Sequence, residues 1–472
     1  MEQNETPSAK KPVGTADQRL GTAPLLPLIF SLALPTALAQ LVNLLYNIVD
    51  RVYVGHIPGS GSLALAGLGV TYPIIVLITA FSNLVGMGGA PRASVAMGRG
   101  DYKTAEKVLG NCITLLVVLS VVLSVGFTVF GESILMLFGA SENTLPYAMS
   151  YLRIYLMGTL FVQFTMGMTP FITNQGFAKT SMATTCIGAI CNIALDPVFI
   201  FGLNMGVRGA ALATILSQAV SAVWVLWFFL GKRSVLRIRK HNFLPEGRIM
   251  ALILSLGVSP FIMNATECLV QLVFNTGAAK YGGDDAVAIM SILFSVAQIA
   301  QLPIQGFCQG VQPIISYNFG ARKFDRVRST FMTTLKLSLG VAVAVVGAVE
   351  LFPHLFLGLF SSDAGLIQLG IAPLRIYLLG FAFMGAQSAC QQTFLGLGEA
   401  KISMFIALLR KVILLLPLAL ILPGVFGLLG GSQLLGLYVA EPVSDLISAS
   451  TCTIIFFAVE WKKLKPAPRA DG

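Results

Sequence analysis

YLRIYLMG, residues 151–158, returns as PLRIYLLG, residues 373–380, after a shift of 222 positions. QGFAKTSM (175–182) returns as LGEAKISM (397–404) at the same shift, and Gly98 meets Gly320 in the same register. Chance can produce one eight-residue echo. Two such words and a matching glycine, all in one register, mark an internal duplication.

Composition says what is duplicated. The chain has 472 residues, of which 56% are hydrophobic and 11% charged; soluble chains carry about a quarter charged residues. A membrane-crossing helix needs about 20 apolar residues. Twelve segments meet that length: roughly 25–54, 63–90, 108–131, 146–173, 181–202, 207–230, 249–276, 286–314, 330–358, 367–394, 402–423 and 434–459. Six fall on each side of residues 231–248. An even number per repeat gives both halves the same orientation, related by an axis along the membrane normal. The expected fold is an all-α polytopic membrane protein, with twelve transmembrane helices in two pseudo-symmetric six-helix bundles around a central cavity. The expected division is a polar amino terminus (1–23), a first lobe (24–230), a basic linker (231–248), a second lobe (249–460) and a tail (461–472).

A net charge of +10 in a soluble protein suggests nucleic acid. Here the bases gather in alternate loops, which is the positive-inside pattern of a membrane protein and excludes that partner. The even loops carry Arg99, Lys103 and Lys107; Lys179; Lys232, Arg233, Arg237, Arg239 and Lys240; Arg322, Lys323, Arg326 and Arg328; and Lys401. Lys10, Lys11, Arg19, Lys462, Lys463 and Lys465 flank the spans at the two ends. The odd loops carry Glu132, Glu142, Asp284, Asp285, Glu350 and Asp363. Both termini are therefore expected in the cytoplasm, with the chain in a bacterial inner membrane. Residues 1–23 contain no apolar core of a signal peptide, so the first span is expected to act as the uncleaved signal. The seven cysteines lie in apolar segments without a CxxC pair and read as small buried hydrophobes.

Polar residues inside the spans are costly, so their placement points to function. In the first span, Asn43, Tyr46, Asn47 and Asp50 fall at i, i+3, i+4 and i+7 and form one stripe. In the fifth, CNIALDP (191–197) puts Asn192 and Asp196 on the face of Thr185. In the sixth, Thr214, Ser217, Gln218 and Ser221 form another stripe. At the helical rise, Asp196 lies roughly 22 Å from the cytoplasmic end of its span, Asp50 roughly 7 Å and Thr214 roughly 10 Å from the outer ends of theirs. All three reach one level in the outer half. Neither aspartate has an acidic counterpart in the second half, so the shared fold does not require the pair. Two carboxylates in one dry pocket need a proton or a cation between them. With the oxygens of Asn192 and Thr214 they also form a hard-oxygen set that fits Na⁺. The alternative is a polar cluster that only ties helices together.

In the second half, Glu267 is read as the one acid deep in a span, sharing a face with Asn264 and Gln271, extended by Gln298 and Gln305. It is a candidate second protonation or substrate-cation site, or else a hydrogen-bonded interior acid. Gln163 and Gln387 complete the candidate cavity lining together with Asn43 and Asn47. Arg410 and Lys411, about 12 Å into their span, are expected to snorkel toward the cytoplasm, with an interior ion pair as the alternative. Pro35, inside the first span, removes one backbone hydrogen bond and is a candidate hinge.

With GVRGAALATILSQ (206–218), CNIALDP, the MGRGDYKTAEK loop (97–107) and the QGFAKTSM echo, the chain resembles the MATE (multidrug and toxic compound extrusion) transporters over about residues 24–460. The resemblance implies a V-shaped pair of lobes and cation-coupled efflux of lipophilic, often cationic, compounds. It further implies a first-lobe cation site at Asp50, Asn192, Asp196 and Thr214, with Tyr46 one turn before Asp50, a bending proline at Pro35, and the acid of one branch at Glu267. That branch also uses an aspartate on the tenth helix, where this chain has Gln387, Gln391 and Gln392.

The expected function is an antiporter driven by H⁺ or Na⁺, working by rocker-switch alternating access. It needs no cofactor beyond the coupling ion; its partners are small lipophilic cations and the bilayer, and it is expected to be a monomer. A flippase for anionic lipid-linked precursors should line its cavity with several bases, whereas the interior stripes here are amide, hydroxyl and acid. An intramembrane aspartyl protease is suggested only by GRGD (98–101), whose Asp101 falls in a basic loop without a YD partner in a span.

Overall fold

The computed structural model describes residues 16–59, 61–361 and 363–464; Lys10, Lys11 and Lys465 lie outside them. Among the described residues every regular element is helical. Ten helical stretches are long and apolar enough to cross a bilayer. Leu145–Met157 and Thr159–Asn174, bent by 62°, make an eleventh. Gly247–Gly320 covers 74 residues, about 110 Å at the helical rise, far more than the roughly 30 Å of a bilayer core. It breaks at Gly283, whose φ of 68° and ψ of −158° are not helical. Among the described residues the chain therefore makes twelve passes, and we number the spans accordingly.

The repeated words mark packing points rather than sequence ornament. Gly158 sits at the 62° bend, where a Cβ would run into the side chain of Ile215 on the sixth span. Its repeat mate Gly380 lies at the same place in the second half, where a Cβ would be 2.5 Å from Cα of Pro442 on the twelfth span. Gly98 and Gly320 face each other's helices: a Cβ on Gly98 would strike the Tyr317 carbonyl, and one on Gly320 the Val95 carbonyl. Val95 and Tyr317 are themselves 222 residues apart, so the two contacts are one contact repeated by the pseudo-two-fold.

The same symmetry governs the seam between the halves. The second span packs on the seventh where Gly88 meets the backbone of Ile253 and Gly257 that of Leu84; the eighth packs on the first where Gly306 meets Ala37 and Gly310 meets Ala33. Small residues let backbones approach closely in a membrane, where dispersion rather than the hydrophobic effect holds helices together. Gln40 and Gln309 add an amide hydrogen bond of 3.1 Å across the seam.

These contacts lie in the half of the molecule that carries the chain ends and the basic loops. There one apolar core runs through both lobes, joining Leu28, Ile29 and Leu32 to Val85, Met97, Ile253, Val311, Ile314 and Val327. At the opposite end each lobe has a separate core, built around Tyr151, Tyr155 and Ile200 in the first and around Phe274, Leu293 and Tyr377 in the second. Joined cores at one end and divided cores at the other place the cleft between the lobes away from the termini.

Candidate cation and substrate sites

Three helices bring the first-lobe site together. The first span runs unbroken from Leu25 to Gly55 through Pro35 and packs against the fifth. The fifth is α-helical to Pro197 and then widens to a π-turn over Val198–Gly202. The GVRGAALAT segment brings the sixth span close: Gly206 turns the chain at φ 56°, and a Cβ on Gly209 would sit 2.7 Å from the Phe199 carbonyl oxygen. One and a half turns beyond Gly209, Thr214 donates to the Ala210 carbonyl at 3.0 Å and faces Asn192.

The predicted four residues meet. Asn192 Nδ2 lies 3.4 Å from Asp196 Oδ1 and 3.5 Å from Thr214 Oγ1. The carboxyl groups of Asp50 and Asp196 are within hydrogen-bonding reach of each other. Asp196 and Asn192 are 0% and 1% exposed and Asp50 9%, so none faces lipid. Asp50 Oδ1, Asn192 Oδ1 and Asp196 Oδ2 are all buried without a hydrogen-bond partner. Unsatisfied oxygens are expensive in a dry interior. Three of them gather around a carboxyl pair.

Tyrosines form the wall. Tyr46 lies beside Asp50. Tyr151 lies near Thr214 and Asp50, and Tyr155 lies close to Tyr46. Tyr151 and Tyr155 are each 3% exposed, with ring centroids 6.0 Å apart. Sequence reading used this YLRIY word for the duplication and missed it as part of the site. The signal was available, since residues four apart share a helix face and both positions are phenols in a membrane span.

The cavity candidates divide. Asn43 is half-buried and Asn47 exposed on the stripe that leads to Asp50, where Asn47 Nδ2 donates to the Asn43 carbonyl at 2.6 Å. Asn264, Gln271 and Gln305 are half-buried and Gln298 is exposed. Gln163 does not line an open cavity. It is 0% exposed, accepts from Ser82 Oγ and donates to the Ile78 carbonyl, both at 2.9 Å, so its amide ties the fourth span to the second. Gln387, 4% exposed, is likewise interior. Its neighbour Gln391 joins three spans, donating to Ser259 Oγ at 2.6 Å and Ser403 Oγ at 2.9 Å.

The second lobe corrects two expectations. Glu267 is not the only deep acid, because Glu441 and Asp445 lie buried on the twelfth span. Arg410 and Lys411 do not snorkel; they are 5% and 6% exposed and form interior ion pairs. Arg410 Nε meets Asp445 Oδ1 at 2.9 Å, Arg410 Nη2 meets Glu441 Oε1 at 3.3 Å, and Lys411 Nζ meets Glu267 Oε2 at 2.9 Å. A π-turn over Leu409–Leu415 carries both bases just before Pro417, which has no N–H to continue the α-helical ladder. Ser444 Oγ bonds the Arg410 carbonyl at 2.9 Å. Tyr377, the repeat mate of Tyr155, lies among Glu441, Glu267 and Asp445. Snorkelling loses because acids on facing helices offer each base a nearer and stronger partner than the interface does. In the loop before the third span, Asp101 caps that helix by accepting from Thr104 N at 3.0 Å, and its hydrogen bonds with Thr104 hold its carboxyl below the usual carboxylate range.

Comparison with known proteins follows this geometry. A family model described as MatE matches residues 35–198 and 260–421, one block in each half. The multidrug export protein MepA of Staphylococcus haemolyticus (strain JCSC1435) is 30% identical over 424 residues, covering 88% of this chain and 90% of the relative. Among solved structures, a MATE in the bent conformation superposes with a TM-score of 0.87 at 23% identity, covering 95% of this chain and 98% of that one. An outward-facing multidrug-resistance MATE transporter of the MOP superfamily gives 0.84 at 22% identity, covering 96% and 98%. With the family model matched in both repeats and the fold shared along almost the whole chain, this protein belongs to the MATE family and is similar to MepA.

Proposed function

We propose that this protein is a multidrug exporter that moves lipophilic organic cations out of the bacterial cell in exchange for H⁺ or Na⁺. The observation that carries the reading is the meeting of Asp50 and Asp196 in the first lobe, with three buried oxygens left without donors. Two ionised carboxylates carry a charge of −2, so a bound H⁺ or Na⁺ halves that charge, weakens the repulsion between them and gives unpaired oxygens a partner. A cation that binds one arrangement of the lobes better than the other shifts the equilibrium between them by that difference.

The basic loops assign the chain ends to the cytoplasm. The joined core then seals the cytoplasmic side, and the cleft opens outward, beside Asn43, Asn47 and Glu267. In the cycle, substrate leaves through this cleft, the cation enters the first-lobe site, and the lobes rock about the glycine seam so that the cleft opens inward. Lipophilic cations suit a cleft whose polar residues are amides, hydroxyls and acids. The MepA relatives are named multidrug export proteins, which agrees with this substrate class.

The test is exchange in vesicles loaded with a fluorescent lipophilic cation. A proton gradient or a sodium gradient, imposed separately, is expected to drive efflux, and the one that does so names the coupling ion. Asp196→Asn and Asp50→Asn are expected to reduce driven exchange to the level of empty vesicles. Full driven exchange by a correctly inserted Asp196→Asn protein would remove the site from the mechanism.

A further inference from the structure

The two halves share a fold, and each sets buried acids among tyrosines. In the first, Asp50 lies near Tyr46 and Tyr151, and Tyr46 neighbours Tyr155. In the second, Glu441, Glu267 and Asp445 lie around Tyr377, the repeat mate of Tyr155. They differ in what answers the acids. Among the described residues no base is ion-paired to Asp50 or Asp196. Arg51, next in sequence to Asp50, instead lies 5.0 Å above the Tyr72 ring. In the second half each acid holds a cation that belongs to the chain: Asp445 and Glu441 hold Arg410, and Glu267 holds Lys411.

The Lys411 pair has the form of an occupied ion site. Its ammonium is almost wholly enclosed, with the side chain 8% exposed, whereas the Glu267 side chain is 44% exposed. The carboxylate is thus reachable from the cleft, while its cation is anchored from behind, on the eleventh span. The neighbourhood still carries an excess of acid, with three carboxylates against two bases, and Glu441 Oε2 is buried without a partner. The eleventh span is shaped for the task. Arg410 and Lys411 are consecutive, so a regular α-helix would point them about 100° apart; they lie in the π-turn and both reach acids in the lobe interior.

We propose that Lys411 is a tethered cation that permanently fills the second-lobe counterpart of the exchangeable site, so that this transporter couples through its first lobe alone. The inference rests on the first-lobe reading given above. Its consequence is specific: removing the ammonium while keeping Glu267 converts a closed ion pair into a site open to a diffusible cation. The groups that face this site are Glu267 on the seventh span, Tyr377 on the tenth, Arg410 and Lys411 on the eleventh, and Glu441 and Asp445 on the twelfth.

The test uses purified full-length protein carrying Asp196→Asn, which disables the first-lobe site. Radioactive sodium binding and proton uptake, read with a pH dye, are measured with and without Lys411→Met. Asp196→Asn alone is expected to take up neither ion. Asp196→Asn/Lys411→Met is expected to gain saturable uptake of one of them, and adding Glu267→Gln is expected to abolish the gain. Lys411→Arg is expected to behave as Lys411 does. If Asp196→Asn/Lys411→Met unfolds cooperatively like its parent yet binds no ion, the tethered-cation role is wrong. Should Lys411→Met not fold, the number of cations exchanged per substrate by wild-type protein, taken from the coupling-ion gradient at which net substrate flux reverses, decides. A single cation coupled through the first lobe supports the inference, and two cations overturn it. Ion binding that persists in Asp196→Asn alone and is lost with Asp50→Asn would revise the first-lobe site and leave the Lys411 result to stand separately.

Discussion

A residue's burial and partners decide what its removal costs. Asp196→Asn keeps the shape of the side chain and removes its charge, so the protein is expected to insert and unfold much as wild type does while drug resistance falls to the level of cells without the gene. Expression and resistance measured together check this. Arg410→Ala has a different expected effect. It leaves Glu441 and Asp445 without their shared counter-charge inside the lobe, and breaking a buried ion pair by removing one partner costs about 3–5 kcal/mol. A matching fall in thermal stability in detergent, with little left to transport, is expected. Gln163→Leu separates tie from lining. Both ends of its amide are used in helix contacts, so losing them should cost about 1–3 kcal/mol and leave the spectrum of exported compounds unchanged. An altered drug spectrum at unchanged stability would instead place Gln163 at the substrate.

Helices here are aligned by small residues and interrupted by prolines and π-turns. Gly98→Val would drive a side chain into the Tyr317 carbonyl, at the seam where both lobes are joined. The halves are then expected to separate at the end that carries the basic loops, seen as faster labelling of a cysteine placed nearby, with efflux reduced. The first span is a single helix through Pro35, which is buried and sits between Ala33 and Ala37, the residues that meet Gly310 and Gly306. Pro35→Ala restores one backbone hydrogen bond and stiffens the helix, so transport is expected to slow while thermal stability is kept or raised.

At the scale of the molecule, the conformation is held at the end that carries the basic loops by more than apolar packing. The short helix Ala16–Thr22 lies across the halves. Asp17 Oδ2 accepts from the Tyr102 hydroxyl of the first lobe at 2.8 Å. On the other side, Asn318, Lys323 and Arg326 of the second lobe donate to the carbonyls of Leu20, Gly21 and Ala23. These donors meet the free carbonyls at a helix C-terminus, where cations are favoured. Arg326→Ala removes two of those bonds. It is expected to raise the fraction of molecules open to the cytoplasm, measured as the distance between spin labels on the two lobes at that end.

The amino-acid order by itself determined the duplication, the twelve passes and which four polar residues come together in the first lobe. Each rests on a local property: an apolar run long enough to span, a helical period that aligns side chains, and a charge conspicuous against hydrocarbon. Asp50, Asn192, Asp196 and Thr214 were legible because a rise of 1.5 Å per residue converts position into depth. Glu441 and Asp445 carried the same signal and were passed over, and Tyr151 and Tyr155 were taken for repeat letters. What only the tertiary structure decided is which groups answer one another. Whether Lys411 reaches the interface or Glu267, whether Gln163 meets substrate or Ser82, and which end of the cleft is shut all depend on helices far apart in sequence. A flexible side chain takes whichever partner the packing brings nearest, and no local pattern records that distance.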